Sequence, residues 1–294
     1  MAAKRLAGGF LPAGQMSPHL QSVSTGRRDA PQRSWQKQII ELGDRIMGAR
    51  FVDLLACFAV LALASLPAVA APTLPNLCET VTFEGDAFIA CTVDPALQDI
   101  RLFLHTPDGQ PYGSLESFAA DGPSVVFAMN GGMYLPDRSP QGLYVEAGGT
   151  LAPLVTADGE GNFYLKPNGV FLVTADHRAQ VVATEAFVAT PDLAYATQSG
   201  PMLVIDGALH PEFSDNGTSR YVRNGVGVRA DGKVVFAISL DVVSFGRFAR
   251  LFRDALSCPD ALYLDGFVSG LADDDGVVVG GGHAAGPIVA VLKR

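Results

Sequence analysis

Residues 223–241, RNGVGVRADGKVVFAISLD, contain two short apolar runs on either side of an Asp-Gly pair. The first run follows Arg223 and the second ends at Leu240. Asp231-Gly232 allows the positive φ angles that tight turns need, so this stretch predicts two antiparallel strands joined as a hairpin. Pro167-Asn168-Gly169 carries a similar Asn-Gly signal, and we expect it to close a second hairpin.

The rest of residues 71–294 repeats this pattern of short apolar runs separated by Gly, Asn, Asp and Pro, which predicts β-strands. Two segments instead have helical spacing. One begins after Ser114 and covers Leu115 to Ala119, and a longer one is capped by Ser244 and ends before Cys258-Pro259. No linker or internal repeat divides the region. We therefore predict a single α+β domain, mainly antiparallel β-sheet with a few flanking helices.

The charge of this region is strongly acidic. Residues 71–294 hold thirteen Lys/Arg against twenty-six Asp/Glu, a net charge of −13. Nucleic-acid binding depends on clustered Lys and Arg that neutralise backbone phosphates, and no basic stripe occurs after residue 70. The sequence therefore predicts no nucleic-acid partner, although one arginine in a pocket suits a small phosphate.

The N-terminal residues predict export. Residues 54–70 are largely apolar, follow Arg45 and Arg50, and end in small residues that suit a signal peptidase site. We assign residues 47–70, starting at Met47, as a signal peptide, and residues 1–46 as a polar leader or an unused upstream start. An uncleaved membrane anchor is the alternative, which the short run and Pro67 disfavour. The expected location is periplasmic or secreted.

Three cysteines would remain after signal-peptide removal: Cys78, Cys91 and Cys258. Cys78 and Cys91 flank a short β-rich stretch that can fold back as a hairpin, so we expect them to pair as a disulfide in an oxidising compartment. Three buried thiols are the alternative.

Four polar turns follow or precede predicted strands and combine hydrogen-bonding side chains with glycine. They are Asn130-Gly131-Gly132, Gln198-Ser199-Gly200, Arg223-Asn224-Gly225 and Asp265-Gly266. Glycine lets a backbone approach a ligand closely, and binding residues concentrate on such loops. The connection after Asn130 is also unusually long, because twelve residues separate it from Leu143. A plain structural turn is the alternative for each cluster taken alone.

Taken in order, four motifs in about residues 100–292 resemble those of the phosphodiester glycosidase domain family. The motifs are Asn130-Gly131-Gly132-Met133-Tyr134, Ser199-Gly200-Pro201-Met202-Leu203, Arg223-Asn224-Gly225-Val226-Gly227-Val228 and Leu262-Tyr263-Leu264-Asp265-Gly266. The resemblance implies that residues 71–294 form a phosphodiester glycosidase-like domain of the exported bacterial branch. One departure is that Phe267 and Val268 stand before Ser269, where many members have a Gly/Ser-rich run.

With that resemblance, Asp265 is the predicted catalytic carboxylate, acting as base or nucleophile at the anomeric carbon. Asp241, after the strand that begins at Val234, is the reserve second carboxylate, since ordinary glycosidases use two. A guanidinium fork suits phosphate, so Arg223 is expected to stabilise the departing phosphate. The alternative for both aspartates is a structural capping role. The predicted substrate-binding residues are Asn130, Gly131, Gly132, Ser199, Gly200, Arg223, Asn224, Gly266 and Ser269.

No residue spacing indicates a metal site, and we expect no cofactor. Asp273-Asp274-Asp275 and His283 lack matching ligands in the sequence. The predicted function is an exported hydrolase that cleaves the glycosidic bond of a sugar phosphodiester, with a small molecule or glycan as substrate. The alternative is a non-catalytic envelope protein that binds a glycan or sugar phosphate.

Overall fold

The computed structural model describes residues 73–293, so the predicted leader and signal peptide lie outside the described residues. The described part forms seventeen strands and two α-helices. The strands are β1 (Cys78–Phe83), β2 (Asp86–Val93), β3 (Asp99–Phe103), β4 (Val125–Asn130), β5 (Tyr144–Glu146), β6 (Gly149–Ala152), β7 (Gly169–Thr174), β8 (Ala179–Ala183), β9 (Leu193–Ser199), β10 (Met202–Ile205), β11 (Ala208–Leu209), β12 (Asn224–Val228), β13 (Val234–Ser239), β14 (Asp260–Asp265), β15 (Leu271–Asp273), β16 (Gly276–Val279) and β17 (Ile288–Leu292). The helices are α1 (Leu115–Asp121) and α2 (Phe245–Arg250).

The strands form three antiparallel sheets. The first has seven strands in the order β1-β2-β13-β12-β14-β10-β11. The second has five in the order β16-β15-β4-β17-β3, and the third has five in the order β6-β5-β9-β7-β8. The prediction of a mainly antiparallel structure is therefore confirmed. The α+β label fits loosely, because residues 73–293 hold only two short α-helices.

The three sheets share one apolar core that centres on Phe236 of β13. The Phe236 ring packs edge-on against Phe127 of the second sheet, with 5.7 Å between ring centroids. It packs in the same way against Phe171 of the third sheet at 5.8 Å. All three side chains are almost completely buried, and this burial of apolar surface stabilises the packing of the three sheets.

Both predicted helices are present and capped as expected. The Ser114 side chain accepts a hydrogen bond from the backbone of Ser117, and the Ser244 side chain accepts one from the backbone of Arg247. Helix α2 continues into a wider π-helical turn, Leu251–Ala255, and buries Phe248 and Phe252 against the outer face of the first sheet. No helix within residues 73–293 is long and apolar enough to cross a membrane.

One predicted hairpin is confirmed and the other is wrong. β12 and β13 pair antiparallel around Asp231-Gly232, where Gly232 has a φ of +83°. Pro167-Asn168-Gly169 instead leads from a short 3-10 turn into β7, and the Asn168 side chain donates a hydrogen bond to the Phe163 carbonyl at 2.8 Å. Gly169 is needed there for close packing, because a Cβ would lie 2.8 Å from the Val182 carbonyl oxygen.

The predicted disulfide is confirmed. Cys78 and Cys91 face each other across the β1–β2 hairpin and are bonded. Cys258 is a free, buried cysteine, and burial raises the pKa of its thiol to about 12. The bond fastens the outer strand of the first sheet to its neighbour.

Candidate functional site

The candidate site is organised by Asn224 at the start of β12, which pairs with Asp265 at the end of β14. The Asn224 side-chain oxygen accepts hydrogen bonds from the Asp265 backbone at 2.9 Å and from the Ser269 hydroxyl at 3.2 Å. Its side-chain NH2 group donates to the Asn130 carbonyl at 2.9 Å. A single buried amide thus joins the first sheet to the end of β4 in the second sheet.

Two further buried side chains complete these connections. The Asn130 side-chain oxygen accepts a hydrogen bond from the Gly270 backbone at 2.8 Å. The Ser199 hydroxyl, at the end of β9 in the third sheet, donates to the Leu264 carbonyl at 2.9 Å. Asn130, Ser199, Asn224 and Ser269 are each 0–3% exposed. We call these four residues the buried polar network; they fix the backbone on both sides of Asp265.

The glycines of the motifs serve protein packing. A Cβ at Gly131 would lie 2.8 Å from the Val289 backbone nitrogen, and one at Gly132 would lie 2.5 Å from the Thr197 hydroxyl. A Cβ at Gly200 would lie 2.7 Å from the Phe163 carbonyl oxygen, and one at Gly266 would overlap the Tyr263 hydroxyl. A side chain at any of these four positions would collide with neighbouring protein atoms, so close packing requires glycine there.

The Asp265 carboxyl group is held in an unusual environment. One oxygen, Oδ1, accepts a hydrogen bond from the Gly266 backbone at 2.7 Å. The other, Oδ2, is buried without a hydrogen-bond partner among the described residues. Burial raises the pKa of Asp265 to about 7, although the Gly266 hydrogen bond acts in the opposite direction. A carboxyl group with a pKa near neutrality can hold or release a proton at physiological pH.

Asp265 opens onto a cleft of about 400 Å³, a volume within the range of small-molecule sites. Apolar groups make up most of the wall, and Phe267 is 71% exposed beside it. The cleft is lined by Met133, Tyr134, Leu135, Pro136, Gln141, Asp265, Phe267 and Val268. Asp265 is the one predicted site residue in this lining.

One side of the cleft is formed by residues 133–141, which we call the rim loop. It folds back on itself: Gln141 donates a backbone hydrogen bond to Met133 at 3.0 Å, and Tyr134 and Pro140 form an isolated β-bridge. The Tyr134 hydroxyl donates to the Ala284 carbonyl at 2.7 Å, which fixes the ring. The length of this connection signalled a functional loop in the sequence, and Met133 and Tyr134 were part of a motif, but Leu135, Pro136 and Gln141 carried no signal of their own.

Arg223 is placed differently from the prediction. Its guanidinium is fully buried, with its central carbon 3.6 Å from the Phe245 ring centroid and 5.4 Å from that of Tyr263. Nε donates to the Val243 carbonyl at 3.0 Å and Nη2 to the Ser219 carbonyl at 3.0 Å. Burial lowers the pKa of Arg223. Because only Nη1 lacks a partner among the described residues, the bidentate phosphate fork expected of this residue is not available.

Asp241 does not join Asp265 in the cleft. It is exposed, and its Oδ2 accepts a hydrogen bond from the Ala87 backbone at 3.0 Å, at the start of β2. β14 and β2 are separated by β12 and β13 in the sheet, so three strand spacings, roughly 14 Å, lie between them. The structural alternative, a side chain that caps a strand end, describes Asp241 as observed.

No group of three or more His, Cys, Asp or Glu side chains within residues 73–293 is arranged to hold a metal ion. Asp274, in the acidic turn, accepts hydrogen bonds from the Ser124 hydroxyl at 2.7 Å and the Val125 backbone at 2.6 Å. Together with Lys293 these donors lower the pKa of Asp274 to about 2. Its oxygens are thus occupied by protein donors.

Comparison with known proteins identifies relatives by sequence. A sequence model of the phosphodiester glycosidase family matches residues 123–271. The uncharacterised protein YigE of Escherichia coli K12 is 36% identical over 221 residues, covering 74% of this chain and 85% of the relative. The family match spans β4, the rim loop, the buried polar network and Asp265.

Solved structures share the fold at low sequence identity. The catalytic domain of zebrafish N-acetylglucosamine-1-phosphodiester alpha-N-acetylglucosaminidase, described as auto-inhibited by its pro-peptide, superposes with a TM-score of 0.54 at 13% identity, covering 74% of this chain and 82% of that one. A putative exported protein of Burkholderia pseudomallei K96243 superposes with a TM-score of 0.51 at 15% identity, covering 71% of this chain and 74% of that one. At these identities the likeness establishes the fold.

Proposed function

Because the chain belongs to the phosphodiester glycosidase family, we propose that it is an exported hydrolase that cleaves the glycosidic bond of a sugar phosphodiester, with Asp265 as its catalytic carboxylate. The single observation that supports this best is the Asp265 carboxyl group in the cleft. It combines a pKa of about 7 with one buried oxygen that has no hydrogen-bond partner among residues 73–293. A carboxyl group perturbed in this way and placed in a cleft is a candidate acid or base.

In the proposed reaction the ionised Asp265 takes a proton from a water molecule. The water oxygen forms a bond to the anomeric carbon, and the bond from that carbon to the phosphate oxygen breaks with its electron pair staying on oxygen. The products are the free sugar and a phosphate monoester, and Asp265 then returns its proton to solvent. Direct attack by Asp265 is the variant of this scheme that would leave a glycosyl ester on the carboxylate.

One carboxylate is sufficient for this chemistry. Ordinary glycosidases use two because a sugar alkoxide must be protonated as it leaves. A phosphate monoester, whose second pKa is about 6, is a much weaker base and departs with little protonation. Asp265 is the one carboxylate in the cleft lining, which suits a substrate with this leaving group.

The buried polar network supports the proposal as positioning residues. Asn224 and Ser199 hold the backbone at Asp265 and Leu264, and a catalytic group gains rate from being fixed in the productive geometry. Arg223 is buried next to Tyr263 of β14, two residues before Asp265. We assign Arg223 to positioning of this part of the site.

Export is the second part of the proposal. The Cys78–Cys91 disulfide is typical of proteins that fold outside the cytosol, and one structural neighbour is described as exported. The mature chain is then the catalytic domain of residues 71–294, without the leader and the signal peptide. Sequencing the N-terminus of the protein recovered from its native compartment checks this, and a mature chain that begins well before Ala71 would contradict it.

The activity is tested by incubating the purified protein with a panel of glycosyl phosphodiesters and measuring released sugar. We expect turnover by the wild type, with a limb of the kcat/KM profile near pH 7, and a loss of about 10³-fold in Asp265→Asn. Full turnover by Asp265→Asn would remove this carboxylate from the mechanism. Saturable binding with no product would instead identify a glycan- or sugar-phosphate-binding protein.

A further inference from the structure

A second arginine, Arg138, stands at the tip of the rim loop and has no place in the predicted site. Its backbone adopts a φ of +74°. Hydrogen bonds from the Arg138 backbone to the Leu135 carbonyl and from the Leu135 backbone to the Ser139 carbonyl, each 2.8 Å, hold this turn closed. A non-glycine residue in this conformation is uncommon, and a closed turn that maintains it gives its side chain a defined direction.

Arg138 lines a second cavity of about 290 Å³ and contacts Tyr134, a residue of the Asp265 cleft lining. The central carbon of its guanidinium is 5.4 Å from the centroid of the Tyr134 ring, a cation–π contact, and Tyr134 lines the same cleft as Asp265. The pKa of Tyr134 is raised, mainly by burial. The negative charge of Asp265 raises it further, and the positive charge of Arg138 lowers it. Because its hydroxyl is bonded to Ala284, Tyr134 is a fixed support for the guanidinium.

The charge of Arg138 is not neutralised by the protein. Within residues 73–293 no carboxylate forms an ion pair with it. Its neighbour Asp137 is engaged by the backbone and hydroxyl of Ser139, at 3.0 and 2.6 Å. Arg138 thus differs from Arg223, whose Nε and Nη2 donate to carbonyl groups.

The surrounding charge makes such a group necessary for an anionic substrate. Residues 71–294 carry a net charge of −13, and a field of that sign disfavours the approach of a phosphodiester. A local guanidinium with free donors offsets this repulsion and binds phosphate oxygens by charge-assisted hydrogen bonds. Arg138 is a residue of this kind, and it contacts Tyr134 of the cleft lining.

We propose that Arg138 binds the phosphate group of the substrate while the sugar lies in the cleft beside Asp265. The substrate passes over the Tyr134 ring, with its sugar on the Asp265 side and its phosphate on the Arg138 side. This inference rests on the proposed function for the identity of the anion as a phosphodiester. It makes Arg138 the substrate-binding cation that the sequence motifs led us to seek at Arg223.

The first test compares an anionic with a neutral substrate. Arg138→Gln should lower kcat/KM for a glycosyl phosphodiester by about 10-fold, mainly through KM, and lower it less for a neutral aryl glycoside. Arg138→Lys should recover part of the loss. The matched control is Arg101→Gln, which removes an arginine paired with Asp99 on β3, away from the cleft lining. Equal losses on both substrates, or no loss on the phosphodiester, would overturn the assignment.

A second test does not need turnover and so separates this inference from the proposed function. Binding of inorganic phosphate is measured by calorimetry at low ionic strength in the wild type, Arg138→Gln and Arg101→Gln. We expect binding to weaken about 10-fold in Arg138→Gln alone. Equal binding in the three proteins, or no binding to the wild type, counts against Arg138. Absence of hydrolysis with phosphate binding dependent on Arg138 would instead contradict the hydrolase assignment only.

Discussion

The buried polar network and the rim loop both surround Asp265, but their side chains have different contacts. The side-chain amides of Asn224 and Asn130 form hydrogen bonds with protein backbone, and both residues are no more than 2% exposed. Tyr134 and Phe267 present their surfaces to the cleft. The buried side chains of the motifs thus fix the backbone around the carboxyl group, whereas the cleft surface is formed by Met133 and Tyr134 of the first motif, by Asp265 and by neighbouring residues outside the motifs.

The strongest test of this division is Asn224→Ala. The substitution leaves the Asp265 backbone N–H and the Asn130 carbonyl without their amide partner, in a region that water does not reach. We expect unfolding in urea to show a loss of about 3 kcal/mol, because each unsatisfied buried group costs about 1–3 kcal/mol. Asn216→Ala, at another Asn-Gly pair, is the control because Asn216 is exposed. Equal stability of the two variants would mean that the network does not hold the site.

Asp265→Asn tests the electrostatic cost of the carboxyl group. The folded-state pKa is raised from 3.8 to about 7, so the folded protein binds this proton more tightly than the unfolded chain does. The tighter proton binding stabilises the folded wild type, and this contribution is fully present below about pH 4 and is lost as the pH rises through about 7. We therefore expect the Tm of Asp265→Asn minus the Tm of the wild type to be larger at pH 8 than at pH 5. The exposed Asp158→Asn serves as the reference, and a Tm difference that does not change with pH would show that Asp265 titrates normally.

Arg223→Lys tests whether Arg223 and Arg138 have different roles in the site. An ammonium group cannot reproduce the planar donors that reach the Val243 and Ser219 carbonyls, so the site should loosen as a whole. We expect turnover to fall about 10-fold on a phosphodiester and on a neutral aryl glycoside alike. Arg138→Lys, measured beside it, should discriminate between the substrates. If Arg223→Lys discriminated instead, its free Nη1 would be the phosphate donor and the assignment of roles would reverse.

Local signals in the sequence predicted much of the fold. The caps at Ser114 and Ser244 and the turn at Asp231-Gly232 depend on neighbouring residues only, so they could be identified without tertiary information. The Asn168-Gly169 pair misled because its glycine is required by a distant carbonyl, that of Val182. A pattern cannot distinguish a glycine needed for a turn from one needed for packing.

The site was predicted less completely for the same reason. Asp265 was predicted from the family resemblance together with its place at the end of an apolar strand, and it lines the cleft. The local sequence does not distinguish Arg223 from Arg138. Only the tertiary structure shows that Arg223 is buried against Phe245 and that Arg138 lies over the Tyr134 ring. Asp241 follows its strand much as Asp265 ends its own, yet the order of strands in the sheet directs it to Ala87.

The smallest expected effect belongs to Phe267, two residues after Asp265. Its ring is 71% exposed, lines the cleft and lies 5.0 Å from that of His283. An exposed ring contributes little to folding, but it offers an apolar surface against which the apolar face of a sugar can pack. Phe267→Ser should therefore leave the Tm nearly unchanged and raise KM about 3- to 10-fold, with kcat retained.

Val188→Ser, which alters a side chain that is 74% exposed and outside the cleft lining, controls for the loss of surface apolar area. A fall in kcat for Phe267→Ser at constant KM would place Phe267 with the residues that position Asp265, and the division between the buried polar network and the residues that meet the ligand would then no longer hold.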